Sequence, residues 1–359
     1  MTTKSKVFFI EAANSDSAGM IQSKLGRLCK ESGVLNCASS GDAVAVKMHF
    51  GEDGNTGFVQ AQYLRVICDA LKTNGAVPFL SDTNTLYRGR RTNSADHLEL
   101  AQAHGFTKEA TGVDVIIPDD TQKINIGEVE VNARFIKTAR VVSLFLHTPV
   151  LVGVAHFKGH IMTGFGGALK NIGMGCASRE GKLAQHCDVA PIVIESNCVG
   201  CGACELICPV GAVKIINNKS VIDGKKCIGC ASCIASCNYH AIDVEWESGG
   251  GLIQEKMVEY AKAILDGKSG KKGFINFATK ITKECDCIAK DDPRICADIG
   301  IFASVDPVSI DKACLDKVVD ICGKDIFKEV HPSRDGMKQL RYASSLGLGS
   351  LEYELIDLV

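Results

Sequence analysis

Eight of the eighteen cysteines fall into two runs of identical spacing that is typical of iron–sulfur proteins. Each run reads C-x-x-C-x-x-C-x-x-x-C, and the runs comprise Cys198, Cys201, Cys204 and Cys208, then Cys227, Cys230, Cys233 and Cys237. Three thiolates at such intervals surround one cubane cluster, and the fourth reaches the neighbouring cluster. We therefore expect two [4Fe-4S] clusters, the first held by Cys198, Cys201, Cys204 and Cys237 and the second by Cys227, Cys230, Cys233 and Cys208.

A pair of zinc sites is the alternative, because four thiolates also suit a tetrahedral zinc ion. A zinc site has no use for a crossed fourth cysteine, and Pro209 directly after Cys208 fits the iron–sulfur pattern. Exposed low-potential clusters are damaged by oxygen, so the prediction extends to an anaerobic host.

Histidines and a lysine surround a glycine-rich segment at residues 164–167. They are His156, His160, Lys170 and His186. Gly166 and Gly167 would let the backbone approach a ligand, and a helix that starts at Ala168 would offer its first amides to an anion. His160, Lys170 and His186 are our candidate catalytic residues, with Gly166 and Gly167 as binding positions. The alternative is that the histidines are ordinary hydrogen-bonded loop residues and that Lys170 lies on a solvated helix face.

Polar side chains also follow two predicted strands. Lys47 and His49 end one strand, Asp82 ends the next, and the loop beyond it carries Arg88, Arg90 and Arg91. Ligands of parallel sheets bind at the carboxyl ends of strands, and arginine pairs with carboxylate or phosphate. Lys47, His49, Asp82 and Arg90 are therefore candidates for binding a small anionic substrate. A helix cap and a basic surface loop are the alternative explanation.

Ten cysteines lie outside the two runs. Three of them, Cys29, Cys68 and Cys314, lie on apolar helical faces and are expected in the core. The segment Cys285-Asp286-Cys287, with Cys296 nearby, is a candidate for an additional metal site or a redox pair, and Cys176 or Cys187 would complete a site near His186. Free thiols are the alternative.

Composition limits the function classes. The 359 residues are 46% hydrophobic, which fits two folded domains. The net charge of −2 lacks the excess of basic residues that is typical of nucleic-acid-binding proteins. Residues 1–6 are polar, and we find neither an export signal nor a membrane-length apolar run. We therefore expect a cytoplasmic protein whose many cysteines are reduced thiols and metal ligands.

Apolar strands alternate with amphipathic helices on both sides of the cysteine-rich stretch. Predicted strands cover residues 7–10, 43–48, 77–80, 113–117, 140–146, 151–155, 273–277, 298–303 and 350–358. Residues 124–131 predict a hairpin around Gly127, and Asp306 is expected to cap a helix that starts at Pro307. This alternation of strands and helices is typical of an α/β fold with a mostly parallel sheet and helices on both faces. We predict an α/β body at residues 1–190 and 250–359, interrupted by a two-cluster ferredoxin-like α+β module at residues 191–249.

Five motifs together resemble the domain-of-unknown-function-362 family. They are Lys47-Met48-His49-Phe50-Gly51-Glu52, Asp82-Thr83-Asn84-Thr85-Leu86-Tyr87 with Arg90, Lys158-Gly159-His160, Gly166-Gly167-Ala168-Leu169-Lys170-Asn171 and Asp306-Pro307-Val308-Ser309-Ile310-Asp311. The resemblance covers essentially the whole chain. It implies a prokaryotic protein with an inserted two-cluster ferredoxin, and it implies little about the reaction. Asn238 departs from the proline that usually follows the last cysteine of a ferredoxin run.

The spacing of His160, Lys170 and His186 is also similar to that of the lactate-racemase family. That local resemblance implies Lys170 as the attachment point of a nickel-pincer nucleotide or as an anion contact. It implies His160 and His186 as bases or metal ligands.

We expect an iron–sulfur electron-transfer protein that reduces a small anionic substrate or a redox partner protein at the crevice of the α/β body. Two other classes stay open. One is a non-enzymatic ferredoxin with a docking body, and the other is a racemase or isomerase with accessory clusters.

Overall fold

The computed structural model describes residues 4–87, 89–118, 123–186, 190–245 and 251–358, so that Arg88 and Cys187 lie outside the described residues. The strands are β1 (Ser5–Glu11), β2 (Ala43–Lys47), β3 (Val77–Ser81), β4 (Val115–Ile116), β5 (Ile126–Glu130), β6 (Thr138–Val142), β7 (Val150–His156), β8 (Lys158–His160), β9 (Gly164–Gly166), β10 (Ile192–Val193), β11 (Val213–Ile216), β12 (Lys219–Ile222), β13 (Ile242–Asp243), β14 (Lys272–Ala278), β15 (Gly300–Ser304) and β16 (Tyr353–Asp357). The α-helices are α1 (Ala18–Ser32), α2 (Ala61–Thr73), α3 (Ser94–Ala103), α4 (Lys108–Thr111), α5 (Ser143–His147), α6 (Ala168–Gly173), α7 (Arg179–His186), α8 (Ala203–Ile207), α9 (Ser232–Ser236), α10 (Ile253–Leu265), α11 (Pro307–Cys322), α12 (Ile326–Val330) and α13 (Met337–Ser345).

A central sheet is the framework of the α/β body. Its strand order is β16-β1-β15-β14-β7-β2-β3-β4. Strands β14, β7, β2, β3 and β4 run parallel to one another, and β16 runs parallel to β1. Strand β15 is antiparallel to both of its neighbours, β1 and β14. The predicted α/β class with a mostly parallel sheet is confirmed.

The sheet separates two hydrophobic cores, because successive side chains of a strand point to opposite faces. In β7, Leu151 belongs to one core, while Val150 and Val152 belong to the other. Ile172 and Met257 bring α6 and α10 to the first core. Strands of this kind are buried on both faces, and this explains why their sequences are continuous runs of apolar residues.

Helix α11 begins where the sequence predicts it. The Asp306 carboxylate accepts hydrogen bonds from the Val308 and Ser309 amides at 2.8 and 2.9 Å, and Pro307 occupies the first helical position. These contacts satisfy amides that a helix start otherwise leaves unpaired. The expected capping role of Asp306 is thus present.

Residues 124–147 fold differently from the sequence prediction. The expected hairpin within residues 124–131 is a single strand, β5, which pairs antiparallel with β6. The turn lies later, where Asn132 adopts a positive φ of 47°. Residues 140–146, expected as a core strand, are divided between β6 and the short helix α5. A short apolar run fits either element, so periodicity alone does not separate them.

Residues 190–245 form a compact cysteine-rich segment. Its two antiparallel strand pairs are β10 with β13 and β11 with β12. Each cysteine run contains a short helix, α8 or α9, which carries the third cysteine and ends at the fourth. The central sheet takes its strands from both sides of this segment. The boundary predicted at residue 249 falls within residues 246–250, which lie outside the described part of the chain. Among the described helices, all are too short or too polar to cross a lipid bilayer.

Candidate functional site

A cavity opens at the carboxyl ends of β2, β3 and β7, the position where parallel sheets bind ligands. Its empty volume is about 740 Å³. Seven of the predicted site residues line it, namely Lys47, His49, Asp82, Gly166, Gly167, Lys170 and His186. The structure thus brings the two strand tips and the glycine-rich segment together at one place.

Lys47 and Asp82 form a buried ion pair in the cavity wall. The Lys47 ammonium is 1% exposed and lies 2.9 Å from an Asp82 carboxylate oxygen. It also donates to the Met48 carbonyl at 2.8 Å and to the Asn171 side chain at 3.0 Å. Although burial acts to raise it, the charge of Lys47 holds the pKa of Asp82 below its usual range. These two charges therefore neutralise each other and fix β2 to β3.

Arg91, rather than Arg90, is the arginine of the cavity. Its guanidinium donates to Glu52 at 3.0 Å and to the Tyr87 hydroxyl at 2.7 Å, and it lies 2.9 Å from Nε2 of His49. Burial, followed by the charge of Arg91, lowers the pKa of His49 well below its usual value. Arg90 lies outside the cavity with its side chain 42% exposed.

Lys170 presents an amine to the cavity without a compensating carboxylate. Among the described residues, its Nζ has neither a hydrogen-bond partner nor an ion-pair partner. Burial, followed by the nearby Lys158 ammonium, lowers the pKa of Lys170 to about 7. A Cβ at Gly166 would lie 2.9 Å from Cδ of Lys170, so glycine at this position leaves room for the lysine side chain. An anion that entered the cavity would relieve the uncompensated charge.

The two candidate histidines occupy different positions. His186, at the end of α7, lines the cavity, and burial together with the Lys170 charge lowers its pKa to about 3. His160, at the end of β8, lies behind the lining residues, with a ring nitrogen within 4.8 Å of the Cys287 sulfur. Burial, followed by Lys170 and His186, lowers the pKa of His160 well below its usual value. Both rings are therefore neutral at neutral pH.

Helix α6 does not offer its first amides to a ligand, as the sequence led us to expect. The Asp311 carboxylate accepts hydrogen bonds from Ala168 at 2.7 Å and from Leu169 at 3.0 Å. A Cβ on Gly167 would lie 2.2 Å from this carboxylate, so glycine permits the close approach. Burial raises the pKa of Asp311 to about 6. The anion at this helix terminus is thus a side chain of the protein itself.

The cysteine-rich segment contains two smaller cavities, each lined by four cysteines. The first, of about 300 Å³, is lined by Cys198, Cys201, Cys204 and Cys237. The second, of about 330 Å³, is lined by Cys208, Cys227, Cys230 and Cys233. We call these the first and second quartets, and each draws three sulfurs from one run and one from the other.

The donor chemistry of both quartets fits an iron–sulfur cluster. Backbone amides donate to the sulfurs of Cys198, Cys208, Cys227 and Cys237 at 3.2 to 3.4 Å. Burial, followed by the neighbouring Cys230 and Cys227 thiols, raises the pKa of Cys233 to about 12. Bare thiolates at such a site repel one another, and bound iron cations would offset that repulsion.

The cysteine-rich segment packs beside the wall of the large cavity. Cysteines of both quartets, among them Cys198 and Cys233, belong to one apolar cluster with Leu86 and Leu183. Leu86 lines the large cavity, and Leu183 lies between cavity residues of α7. A Cβ at Gly229, within the second run, would lie 3.7 Å from the Leu183 side chain. The loop of the second run therefore approaches the helix that lines the cavity.

Cys285 and Cys287 form a disulfide. Cys287 lines the large cavity, whereas Cys285 is 2% exposed. Cys296, which the sequence placed near this pair, instead lies 3.1 Å from the sulfur of Cys322, and Cys176 is a buried core thiol. Leu86, Tyr87 and Lys158 belong to the quoted family motifs but were not candidate site residues, because nothing in the local sequence shows that their side chains face a cavity.

The comparison with protein families decides the family. The model described as Domain of unknown function (DUF362) matches residues 44–316, which is more than half of the chain. The chain belongs to this family. Family membership, which the five sequence motifs predicted, is thus confirmed. No curated protein matches the chain.

Solved structures share a distant likeness with this member of the family. Lactate racemase apoprotein from Thermoanaerobacterium thermosaccharolyticum is 13% identical with a TM-score of 0.39, and the match covers 75% of this chain and 50% of that chain. A protein from Thermotoga maritima is 11% identical with a TM-score of 0.39, and the match covers 86% and 58%. The chain thus spans about half the length of these structures.

Proposed function

We propose that the protein is an iron–sulfur oxidoreductase that delivers electrons to a small anionic ligand in the large cavity. The observation that carries this proposal is that cysteines of both quartets belong to one apolar cluster with Leu183 and with Leu86, which lines the large cavity. Cys198, Cys201, Cys204 and Cys237 would hold one [4Fe-4S] cluster, and Cys208, Cys227, Cys230 and Cys233 the other. When bound, such clusters supply one-electron transfer at low potential.

The charges of the cavity support an anionic ligand. Lys47 and Lys158 are each paired with a carboxylate, at 2.9 and 3.0 Å, so their charges are already compensated. Lys170 adds a cation that forms no ion pair among the described residues, and the charge of Asp286 acts on it without direct contact. A ligand carboxylate or phosphate would take that place and stabilise the ammonium form of Lys170.

Lys170 is also suited to supply a proton. General acids work best when their pKa lies close to the working pH, and the pKa of Lys170 is about 7. Its Nζ can therefore hold a bound anion and donate a proton as the ligand gains electrons. His186, which is neutral and in the same cavity, would orient the ligand by hydrogen bonding.

Apolar side chains around the quartets support docking of a redox partner. Leu206 is 91% exposed, and Val199, Ile207 and Ile228 are about half exposed. Exposed apolar groups in such number mark interaction surfaces. A partner protein seated here would bring its own redox group close to the first or second quartet.

Anaerobic purification followed by iron and sulfide analysis tests the cluster part. We expect about eight irons per chain and an EPR signal after reduction. A protein with stoichiometric zinc, little iron and no reducible chromophore would exclude the electron-transfer function. Binding of a small dicarboxylate to wild type, but not to Lys170→Met, tests the cavity part separately by calorimetry.

An isomerase is the second candidate, and the uncompensated amine of Lys170 beside His186 favours it. A neutral lysine is a nucleophile that can carry a covalently attached cofactor. Intact-mass measurement of the purified protein would then show an adduct on Lys170, and metal analysis would show nickel. An unmodified Lys170 in protein that binds iron leaves the oxidoreductase proposal in place and removes this one.

A further inference from the structure

We propose that Cys285 and Cys287 form a reversible dithiol–disulfide couple in the wall of the large cavity. Cys287 is the sulfur that exchanges with an incoming thiol, and Cys285 is the resolving sulfur. This inference goes beyond the proposed oxidoreductase function, because thiol exchange at this pair needs neither quartet to be loaded.

The unequal exposure of the two sulfurs assigns their roles. Cys287 is partly exposed and lines the cavity, whereas Cys285 is buried and is absent from the lining. Thiol–disulfide exchange requires an attacking thiolate to reach one sulfur directly. Cys287 is the accessible sulfur, so a mixed disulfide forms there and Cys285 leaves as the thiolate.

The loop that carries the pair is held rigidly. The Tyr87 hydroxyl donates to the Cys287 carbonyl at 3.0 Å, and the Glu52 amide donates to the Asp286 carbonyl at 2.9 Å. The Asp286 carboxylate lies 2.9 Å from Nδ1 of His156 and 3.0 Å from Nζ of Lys158. The two sulfurs therefore stay close together when the disulfide opens, and this favours reclosure.

Cations line the cavity beside Cys287. Lys158 is paired with the Asp286 carboxylate at 3.0 Å, whereas Lys170, which lines the same cavity, forms no ion pair among the described residues. Because cations attract thiolates, Lys170 would draw an incoming thiolate toward Cys287.

His160 lies beside the pair, with a ring nitrogen within 4.8 Å of both sulfurs. Its Nδ1 is engaged by the Met162 and Thr163 amides at 3.2 Å and by the Thr163 hydroxyl oxygen at 3.0 Å. These contacts fix the ring and leave Nε2 to hydrogen-bond a sulfur of the opened pair. His160 is therefore a positioning residue for the couple.

The exchange balances without a further reactant. A small dithiol attacks Cys287, the Cys285–Cys287 bond breaks, and the second thiol of the reagent then displaces Cys287. The reagent becomes a disulfide, and its two hydrogens end on Cys285 and Cys287. With one-electron donors, the same change consumes two electrons and two protons from solvent.

Redox titration of the wild-type protein tests the couple. Samples are equilibrated anaerobically in graded mixtures of reduced and oxidised dithiothreitol, alkylated with N-ethylmaleimide and analysed as peptides. We expect the peptide with Cys285 and Cys287 to gain two labels together in a two-electron transition. In brief alkylation after reduction, Cys287 should react about tenfold faster than Cys285.

Variants provide the controls. Cys285→Ser should leave Cys287 reactive without a reductant, whereas Cys296→Ser should leave the transition unchanged, because the sulfur of Cys296 lies beside Cys322 instead. His160→Gln should slow the labelling of Cys287 severalfold without abolishing the transition. Two labels on air-equilibrated wild type, or a metal ion that leaves when Cys285 is replaced, would overturn the proposal. The titration is read from the cysteine pair alone, so missing clusters would not alter it.

Discussion

Lys170 is the residue on which the chemistry of the cavity depends. Burial is the main cause of its lowered pKa, and the charges of Lys158, Lys47 and Arg91 lower that pKa further. The buried pairs around it, such as Lys47 with Asp82, serve instead to hold the strand ends in place. A buried amine without a counterion in direct contact lowers the stability of the folded state. Its presence in the cavity therefore indicates a role in ligand binding.

The pH dependence of stability should reveal this amine. Because the folded-state pKa of Lys170 is lowered to about 7, the native state binds fewer protons than the unfolded state between pH 7 and the usual lysine pKa of about 10.4. Its contribution to the free energy of unfolding therefore rises with pH across that window. Urea unfolding at several pH values should show a slope that Lys170→Met lacks, and parallel curves would contradict this assignment.

The neighbouring arginines provide a matched pair of substitutions. Arg91→Lys retains the charge but loses contacts to Glu52, His49 and Tyr87, so we expect a loss of about 2 kcal/mol in the free energy of unfolding. Arg90→Lys, on the surface, should change it by less than about 0.5 kcal/mol. Chemical denaturation measures both free energies of unfolding. Equal losses would contradict the buried position of Arg91 and the exposed position of Arg90.

Seven of the predicted site residues line the cavity, but the sequence does not distinguish between these two arginines. Lys47 and Asp82 end buried strands, and the strand pattern alone predicts that they lie at one edge of the sheet. Arg90 and Arg91 lie in an irregular loop, where no periodicity indicates which side chain points inward. The ion pair with the buried carboxylate of Glu52, which is distant in sequence, identifies Arg91 as the inward side chain.

At the scale of elements, α6 is the helix that depends most on a remote partner. It is short, its N-terminus has no cap of its own, and Asp311 of α11 supplies the missing acceptor. This arrangement joins the glycine-rich segment to α11 and so fixes the position of Lys170. The sequence showed the helix start and the glycines, but it held no local sign of an acceptor that lies 143 residues away.

Replacement of Asp311 should therefore loosen the cavity. In Asp311→Asn, one oxygen acceptor becomes an NH₂ group that faces other donors, so we expect a loss of about 2 kcal/mol in the free energy of unfolding. Asp320→Asn, at an exposed position of the same helix, is the control and should change it little. Denaturant titration compares them, and an unaffected Asp311→Asn protein would argue against the capping contact.

At the scale of the whole molecule, the crossed quartets join the two halves of the cysteine-rich segment. Each cavity takes one sulfur from the other run, so neither half can be complete alone. The apolar cluster that contains cysteines of both quartets together with Leu86 and Leu183 then attaches the segment to the α/β body. Electrons would in this arrangement pass from the first quartet to the second and then toward the large cavity.

Double substitutions separate crossed from uncrossed ligation. Cys208→Ala with Cys227→Ala removes two ligands of the second quartet only, so about four irons per chain should remain. Cys208→Ala with Cys198→Ala damages both quartets, so little iron should remain. Iron analysis after anaerobic reconstitution measures both, with Cys29→Ala, a buried core thiol, as the control. The opposite pattern would mean that each run holds its own cluster.

The large cavity and one edge of the central sheet are separate. Strands β16, β1 and β15 lie at that side of the strand order, and they supply none of the side chains that line the cavity. Engineering for heat tolerance can therefore begin on that side. Tighter packing there should raise the melting temperature while ligand recognition stays the same.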